Sequence, residues 1–353
     1  MRTSRKLTHV LFAVFTLALM SVAALAQPGN VGPVPGSAIP ASSEASDMKQ
    51  GALLVYNYYN SDASNVSAID TKINITNTNV TSSTVVHFFF VSSTSSCSVA
   101  DFKTELTQSQ TYSFLVSDFD PGNRGFIVAV AESEGGLPIN FNYLIGDLFL
   151  KDLSKQANLS AVSFAAQWTN ANNGGTITAE GFWPVPGGSE SASTVDVTFG
   201  TTGSYNALGN ALAVSNIPSL AAGDRTYLVI NRPTGSYVTA TDSVGTLFGL
   251  LYDDAEQSQS FQLPSGGCQT QGVLGDSFPR TAPRFTTVIP AGRTGWAKVY
   301  NTGGNTGIVG AVVTYNTTDN VNFWGGHNLH VVTKTTGTNT ATFPVFPFEL
   351  QTN

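Results

Sequence analysis

Between Ala68 and Asn77 apolar and polar side chains alternate. Ile69, Thr71, Ile73 and Ile75 fall on one face, and Asp70, Lys72, Asn74 and Thr76 on the other. A period of two predicts a strand with one wet face. Two other runs do not alternate: VVHFFFV at 85–91 and FIVAVA at 126–131 are continuously apolar and rich in β-formers. They predict strands covered on both sides. The run from Leu53 to Tyr59 is a further compact apolar and aromatic stretch. The same reading predicts strands at 111–116, 140–145, 161–168, 194–199, 226–231, 246–252, 285–289, 296–300, 308–315, 329–333 and 342–346, with Gly, Asn, Asp, Ser and Pro in the gaps. Only 148–158 reads as a helix, and weakly. Many short strands at this spacing predict an all-β chain, a sandwich or barrel.

A set of features recurs in order. Asp70-x-Lys-Ile-x-Ile-Thr-Asn is matched by Asp224-x-Thr-Tyr-Leu-Val-Ile-Asn. An apolar strand follows each, then a lone cysteine in a Ser/Gly-rich loop (Cys97; Cys268). Next comes a Gly-x-x-Gly-aromatic turn after a proline (Gly122 to Phe126; Gly292 to Trp296), and then a Gly-Gly turn (135–136; 303–304). Cys97 lies 25 residues before Gly122, and Cys268 lies 24 before Gly292. Shared order with near-equal spacing predicts an internal duplication. The expectation is two tandem antiparallel β-sandwich domains, at 51–185 and 186–353, joined at the Pro-Val-Pro-Gly-Gly-Ser junction.

The stretch from Thr71 to Asn79, the apolar strand after it and the Pro-Gly turn into Gly125-Phe-Ile-Val-Ala-Val resemble the immunoglobulin-like modules of bacterial surface proteins. With Phe-Asn-Tyr-Leu-Ile-Gly-Asp (141–147), the chain is similar to a group of uncharacterised exported bacterial β-sandwich proteins. The resemblance covers mainly 51–150. It implies an immunoglobulin-like sandwich and no catalytic residues.

The first residues change the picture of where the chain works. Arg2, Arg5 and Lys6 precede an apolar run to Leu25, and Ala24-Leu25-Ala26 forms a small-x-small cleavage site. This predicts a signal peptide at 1–26, followed by a flexible Pro/Gly/Ser-rich lead-in at 27–50. The expected location is outside the cytoplasm: secreted, extracellular or cell-surface, with the periplasm an alternative. No later run is long enough for a spanning helix. Cleavage leaves thirteen basic residues against twenty-three acidic ones, a net charge of −10. With no basic cluster, such a chain repels phosphate backbones and anionic lipid. Nucleic-acid partners are therefore not expected. Charged residues are only 11% of the chain, so its surface must be polar through hydroxyls and amides.

Candidate chemistry is sparse. Cys97 and Cys268 are the disulfide candidates, since paired thiols in an oxidising compartment usually bond. If the repeats packed about a pseudo-two-fold axis, equivalent cysteine loops could meet on it. Asp118, Asp120 and Asn123 offer alternating oxygens, but Asp-Pro-Gly-Asn is already a sufficient turn. His327 and His330 lack the further ligands zinc wants. His87, inside an apolar strand, reads as a satisfied sheet residue. Glu132 and Glu134, like Asp253 and Asp254, read as edge charges beside turns. No Gly-x-Ser-x-Gly elbow occurs. No catalytic, cofactor or metal residues are assigned, and the chain is not expected to be an enzyme. Tyr56, Tyr58 and Tyr59 cluster, while Trp168, Trp183, Trp296 and Trp324 come later; core packing is the favoured reading, Trp296 included.

The expected function is a non-catalytic structural or adhesion protein of the cell surface or matrix, possibly self-assembling, with a glycan or protein partner. One alternative is a pair of carbohydrate-binding modules, marked by a coplanar row of exposed rings. Another is a hydrolase whose site forms only in the fold, marked by His327 or His330 against a Ser, Asp or Glu. Donation of the first strand, Leu53 to Tyr59, to a neighbouring subunit is also open.

Overall fold

The computed structural model describes residues 44–349 apart from 95, 153–154, 170–176, 179–180, 280, 303–304 and 319–323. The expected signal peptide, most of the lead-in and the second Gly-Gly turn lie outside them. With 54% strand and 4% helix the chain is all-β, as expected. Its architecture is not. Five sheets form a five-bladed β-propeller ring instead of two tandem immunoglobulin-like sandwiches.

Sheet I has the order β4-β3-β6-β1-β9, built from β1 (Leu53–Asn60), β3 (Thr84–Ser92), β4 (Val99–Leu106), β6 (Arg124–Glu132) and β9 (Val162–Phe164). Sheet II has the order β5-β2-β7-β8, from β2 (Ile69–Asn77), β5 (Thr111–Leu115), β7 (Leu144–Asp152) and β8 (Lys155–Ser160). Sheet III is β16-β15-β18-β11-β21, with β11 (Gly209–Pro218), β15 (Gly245–Asp253), β16 (Ser258–Gly266), β18 (Thr294–Asn301) and β21 (His330–Lys334). Sheet IV is β17-β12-β19-β20, with β12 (Asp224–Asn231), β17 (Gln269–Val273), β19 (Val309–Asn316) and β20 (Trp324–Asn328). Sheet V is β10-β22-β13-β14, with β10 (Thr194–Phe199), β13 (Gly235–Ser236), β14 (Ala240–Thr241) and β22 (Asn339–Pro344). The strands of each sheet are not consecutive in the chain, unlike a propeller whose blades are simple meanders.

Sheets I and III share one strand order position for position, and so do sheets II and IV. The first strand of each set is even bulged alike, β1 between Tyr56 and Tyr59 and β11 between Val214 and Ile217. The recurring features of the sequence map onto these paired sheets.

Two independent sandwiches fail for a physical reason. Every residue of β3 is buried, and an all-apolar strand needs a covering layer on each face. Leu54, Tyr56, Phe88, Phe90, Ile127 and Ala129 face Ile73, Ile75 and Leu148 of sheet II. The alternate residues Leu53, Val55, Phe89, Val91, Phe126 and Val128 face Val195, Val197, Phe199 and Phe343 of sheet V, which comes from the second half of the chain. Phe89 lies 5.1 Å from Phe343 and 5.0 Å from Tyr237, ring centre to centre. The two-domain picture left this second layer out.

The halves also meet through buried amides. At the β1 bulge, Asn57 donates through Nδ2 to Gly310 O (3.1 Å) and Asn328 Oδ1 (2.8 Å). Asn231 Nδ2 donates back to Asn57 O (2.8 Å), and Gln269 Nε2 donates to Asn231 Oδ1 (2.7 Å). A chain of hydrogen-bonded amides inside an apolar interface fixes its register.

Several local expectations change. The first strand, Leu53–Asn60, pairs with β6 and β9 of its own chain. The stretch read as a helix at 148–158 is the β7–β8 hairpin, with Leu148, Leu150 and Asp152 buried in alternation. Residues 285–289, expected as a strand, make one helical turn, Phe285–Val288, bracketed by Pro283 and Pro290. Order begins before 51, since Ser46 and Ser163 exchange backbone hydrogen bonds of 3.1 and 2.8 Å. Among the described residues no helix is long and apolar enough to cross a membrane.

Candidate functional site

The equivalence of sheets I and III isolates one surface. Val91 pairs with Phe126 and His87 with Val130 in sheet I; Tyr252 pairs with Trp296 and Phe248 with Tyr300 in sheet III. The shared Gly-aromatic start, Gly125-Phe126 and Gly295-Trp296, aligns the two registers. The sheet I face carrying Val91, Phe89, Phe126 and Val128 is covered by sheet V. Its counterpart on sheet III carries Tyr252, Leu250, Trp296 and Lys298, and it lies open to solvent.

On that open face the Tyr252 and Trp296 rings stack, with centroids 4.5 Å apart and planes 8° from parallel. Trp296 keeps 41% of its surface exposed. Phe248 and Tyr300 form a second cross-strand pair at 5.4 Å and 56°, with Lys298 Nζ 5.9 Å from the Tyr300 ring centre. The neighbouring edge strand adds exposed Ser258, Ser260 and Gln262 opposite Tyr252, Leu250 and Phe248. The opposite face of sheet III is ordinary core: Leu212, Val214, Leu247, Leu251 and Val299 pack on Leu228, Ile230 and Val312. Alternation along β15 and β18 thus sends small aliphatic residues inward and amphipathic rings outward. The rings are two stacked or tilted pairs, not a coplanar row. Trp296, expected in the core, is on the surface.

Tyr56, Tyr58, Tyr59 and Trp168 are buried in cores, and Trp168 Nε1 donates to the half-buried Trp183's carbonyl O at 2.8 Å.

A second constellation is built on the buried His87 and Glu132. His87 Nδ1 lies 3.0 Å from Glu132 Oε1, and Nε2 lies 2.9 Å from Asp101 Oδ2. Lys103 Nζ completes it, 2.8 Å from Glu132 Oε2, and donates to Phe346 O at 2.7 Å. Desolvation opposes a charge on His87, but the Glu132 carboxylate and the hydrogen bonds to Asp101 and Glu132 outweigh it, and its pKa is raised. Held between two carboxylates, this ring serves as a cation more readily than as a base. Glu132, read as an edge charge, is in fact fully buried. Beside this group, Asp101, Phe102, Phe119, Phe346 and Phe348 line an open groove of ≈ 870 Å³.

A third pairing involves the other histidines. Ser215 Oγ and His327 Nε2 are 3.2 Å apart, and the His327 and His330 rings are 5.9 Å apart. Burial, then the His330 charge, lower the His327 pKa. Asp47 acts on His327 only through its charge, since its Oδ2 accepts from Asn328 Nδ2 at 2.9 Å. Among the described residues no three His, Cys, Asp or Glu side chains gather as a metal would need.

The acidic turns hold themselves together. Asp120 accepts from Tyr59 OH at 2.5 Å and from Asn123 Nδ2 at 2.7 Å. Asp253 accepts from two backbone N–H groups, and Asp254 pairs with Arg293 at 2.6 Å.

Cys97 and Cys268 meet: Cys268 N–H donates to Cys97 Sγ at 2.8 Å. They are not equivalent positions, however. Cys97 lies between β3 and β4, and Cys268 between β16 and β17, the counterparts of β4 and β5. The meeting therefore does not arise from equivalent loops on a shared axis.

No protein-family model, curated protein or solved structure matches the chain.

Proposed function

We propose that this chain is an exported, non-catalytic binding protein that attaches to a polysaccharide through the open face of sheet III. The observation that carries the reading is the Tyr252–Trp296 and Phe248–Tyr300 ladder, open to solvent where the equivalent face of sheet I is covered. A sugar ring has apolar C–H faces and polar edges. Its C–H groups, slightly positive, sit well on the negative face of an aromatic ring. Its hydroxyls need donors and acceptors alongside, which Ser258, Ser260, Gln262, Lys298 and the tyrosine hydroxyls supply.

The same position in sheet I, where the covering layer is permanent, carries Val and Phe. Tyr, Trp and Lys instead suit a layer that is wet and exchangeable. The low charge of the chain fits a neutral glycan better than a strongly anionic one.

The test is retention on an insoluble neutral polysaccharide such as cellulose, chitin or a β-glucan. Wild type is expected to be retained and to show altered tryptophan fluorescence with soluble oligomers. Trp296→Ala is expected to weaken binding by about two- to tenfold, since one ring stack contributes on the order of 0.5–1.5 kcal/mol. Equal retention of wild type and Trp296→Ala overturns the reading.

A second reading has one observation in its favour, the 3.2 Å contact of Ser215 with His327. The lowered His327 pKa keeps that ring neutral and able to accept a proton. An acyl-transfer role predicts hydrolysis of an activated ester that Ser215→Ala abolishes. Equal background rates in both proteins remove it.

A further inference from the structure

We infer that Cys97 and Cys268 are the two halves of an intramolecular disulfide in the mature protein, a covalent clasp between turns 171 residues apart. The inference is independent of the glycan-binding reading. Three geometric observations carry it. Cys268 N–H reaches Cys97 Sγ at 2.8 Å. Cys268 Sγ donates to Ser92 O at 3.0 Å, which aims the thiol at the base of the turn that carries Cys97. Both residues are 3% exposed or less and lie in the core between sheets I and V, beside Tyr237 and Val91.

The backbones are fixed independently of the sulfurs. Cys97 takes a positive φ of 48°, and its N–H donates to Thr94 O at 3.1 Å; Ser92 N–H donates to Ser98 O at 2.9 Å. On the other side, Cys268 O accepts from Arg232 N–H at 3.1 Å. Both cysteines are free thiols in this structure, and the two pinned turns hold them beside each other, the closeness that a disulfide requires.

The chemistry is asymmetric in a useful way. Hydrogen bonds from the Cys268 side chain and N–H, working against burial, bring the Cys97 thiol down to about 7, while the same contact and burial push Cys268 up. Cys97 is thus the attacking thiolate. It displaces one sulfur of a disulfide-bearing oxidant, forming a mixed disulfide and releasing a thiolate. Cys268 then gives up its proton and attacks Cys97 Sγ, releasing the oxidant's second thiol. Two electrons and two protons pass from the cysteine pair to the oxidant. Because both sulfurs are buried at the end, exchange takes place before the chain has finished folding.

The test uses full-length chain exported to an oxidising periplasm and purified without reductant. After unfolding with excess alkylating agent, the expected chain is unmodified and two hydrogens lighter than the dithiol, and digestion yields one linked peptide pair containing both cysteines. Reduction is expected to lower the melting temperature by roughly 5–10 °C, given the long loop closed. The Cys97→Ala/Cys268→Ala chain is expected to show no response to reductant. Two alkylated cysteines in the unreduced chain, or a disulfide-linked dimer, overturn the inference. If the double variant does not fold, the mass measurement on the wild-type chain decides alone.

Discussion

Sheets I and III have the same strand order and register, and they differ in what lies on one face. In sheet I, Val91, Phe89 and Phe126 are sealed beneath sheet V. In sheet III, Tyr252, Leu250 and Trp296 occupy the matching places and meet water. One backbone plan therefore supports a permanent interface and an open one, and side-chain chemistry separates them. Close apolar packing around the buried His87, Glu132 and Lys103 marks the covered face. Stacked rings that keep part of their surface in solvent mark the open one.

The sharpest way to break the comparison is to truncate matched positions. Phe89→Ala, under sheet V, is expected to cost about 3–5 kcal/mol in denaturant unfolding. Leu250→Ala, its counterpart, is expected to cost less than about 1 kcal/mol. Equal losses would mean that the sheet III face is covered as well.

Next comes an exchange of chemistry. His87 in sheet I stands where sheet III has Phe248. His87→Phe strands Glu132 with Lys103 as its remaining ionic partner, and is expected to cost about 3 kcal/mol. The loss should depend on pH with a definite sign. A raised folded pKa means that the native state holds the proton more tightly. The His87 contribution is complete below the unfolded histidine value and fades as pH rises through the folded one. The penalty is therefore largest in acid and smaller in alkali, read as wild type minus variant across pH. His327, whose pKa is lowered, works the other way: its contribution is lost as pH falls through the range between its unfolded and folded values. A pH-independent His87→Phe penalty would remove the buried imidazolium from this account.

The smallest expected effect on stability is that of Trp296→Ala, within about 1 kcal/mol, beside its effect on polysaccharide retention. A variant that loses both would make the ladder a structural element of the sheet.

Central strands were legible because burial on one or both faces writes itself into period. The runs at 85–91 and 126–131 became β3 and β6, and 194–199 matched β10 in full. Edge strands were legible in part: β5 and β10 matched predicted runs, whereas two others were missed. Val99–Leu106 and Ser258–Gly266 lie at the margins of sheets I and III, where partly exposed positions need no apolar run. Gly209–Pro218 was missed because small residues dilute its pattern. Sheet V joins strands from 194 to 344, and such long-range pairing leaves no local trace. Yet a clue was present: the continuously apolar runs demanded a layer on both faces, and two separate sandwiches supply only one.

The site was legible only in its residue types. Trp296 follows Gly295 as Phe126 follows Gly125, so the recurrence placed it on a strand, but not on which side that strand was bare. Glu132 beside Glu134 looked like a solvated pair because its partners, His87 and Lys103, arrive from other strands. Ser215 lies within the bulge of β11, and no motif surrounds it.

The last strand described, β22, lies in the layer that seals sheet I, whose inner strand β1 is among the first to be made. A growing chain therefore cannot finish its earliest sheet until nearly all of it has been synthesised. Until then Phe89 and its neighbours stay uncovered. Maturation is in this sense timed by its tail: shortening the chain before Asn339 should leave a product that is made, but is cleared by proteases instead of accumulating.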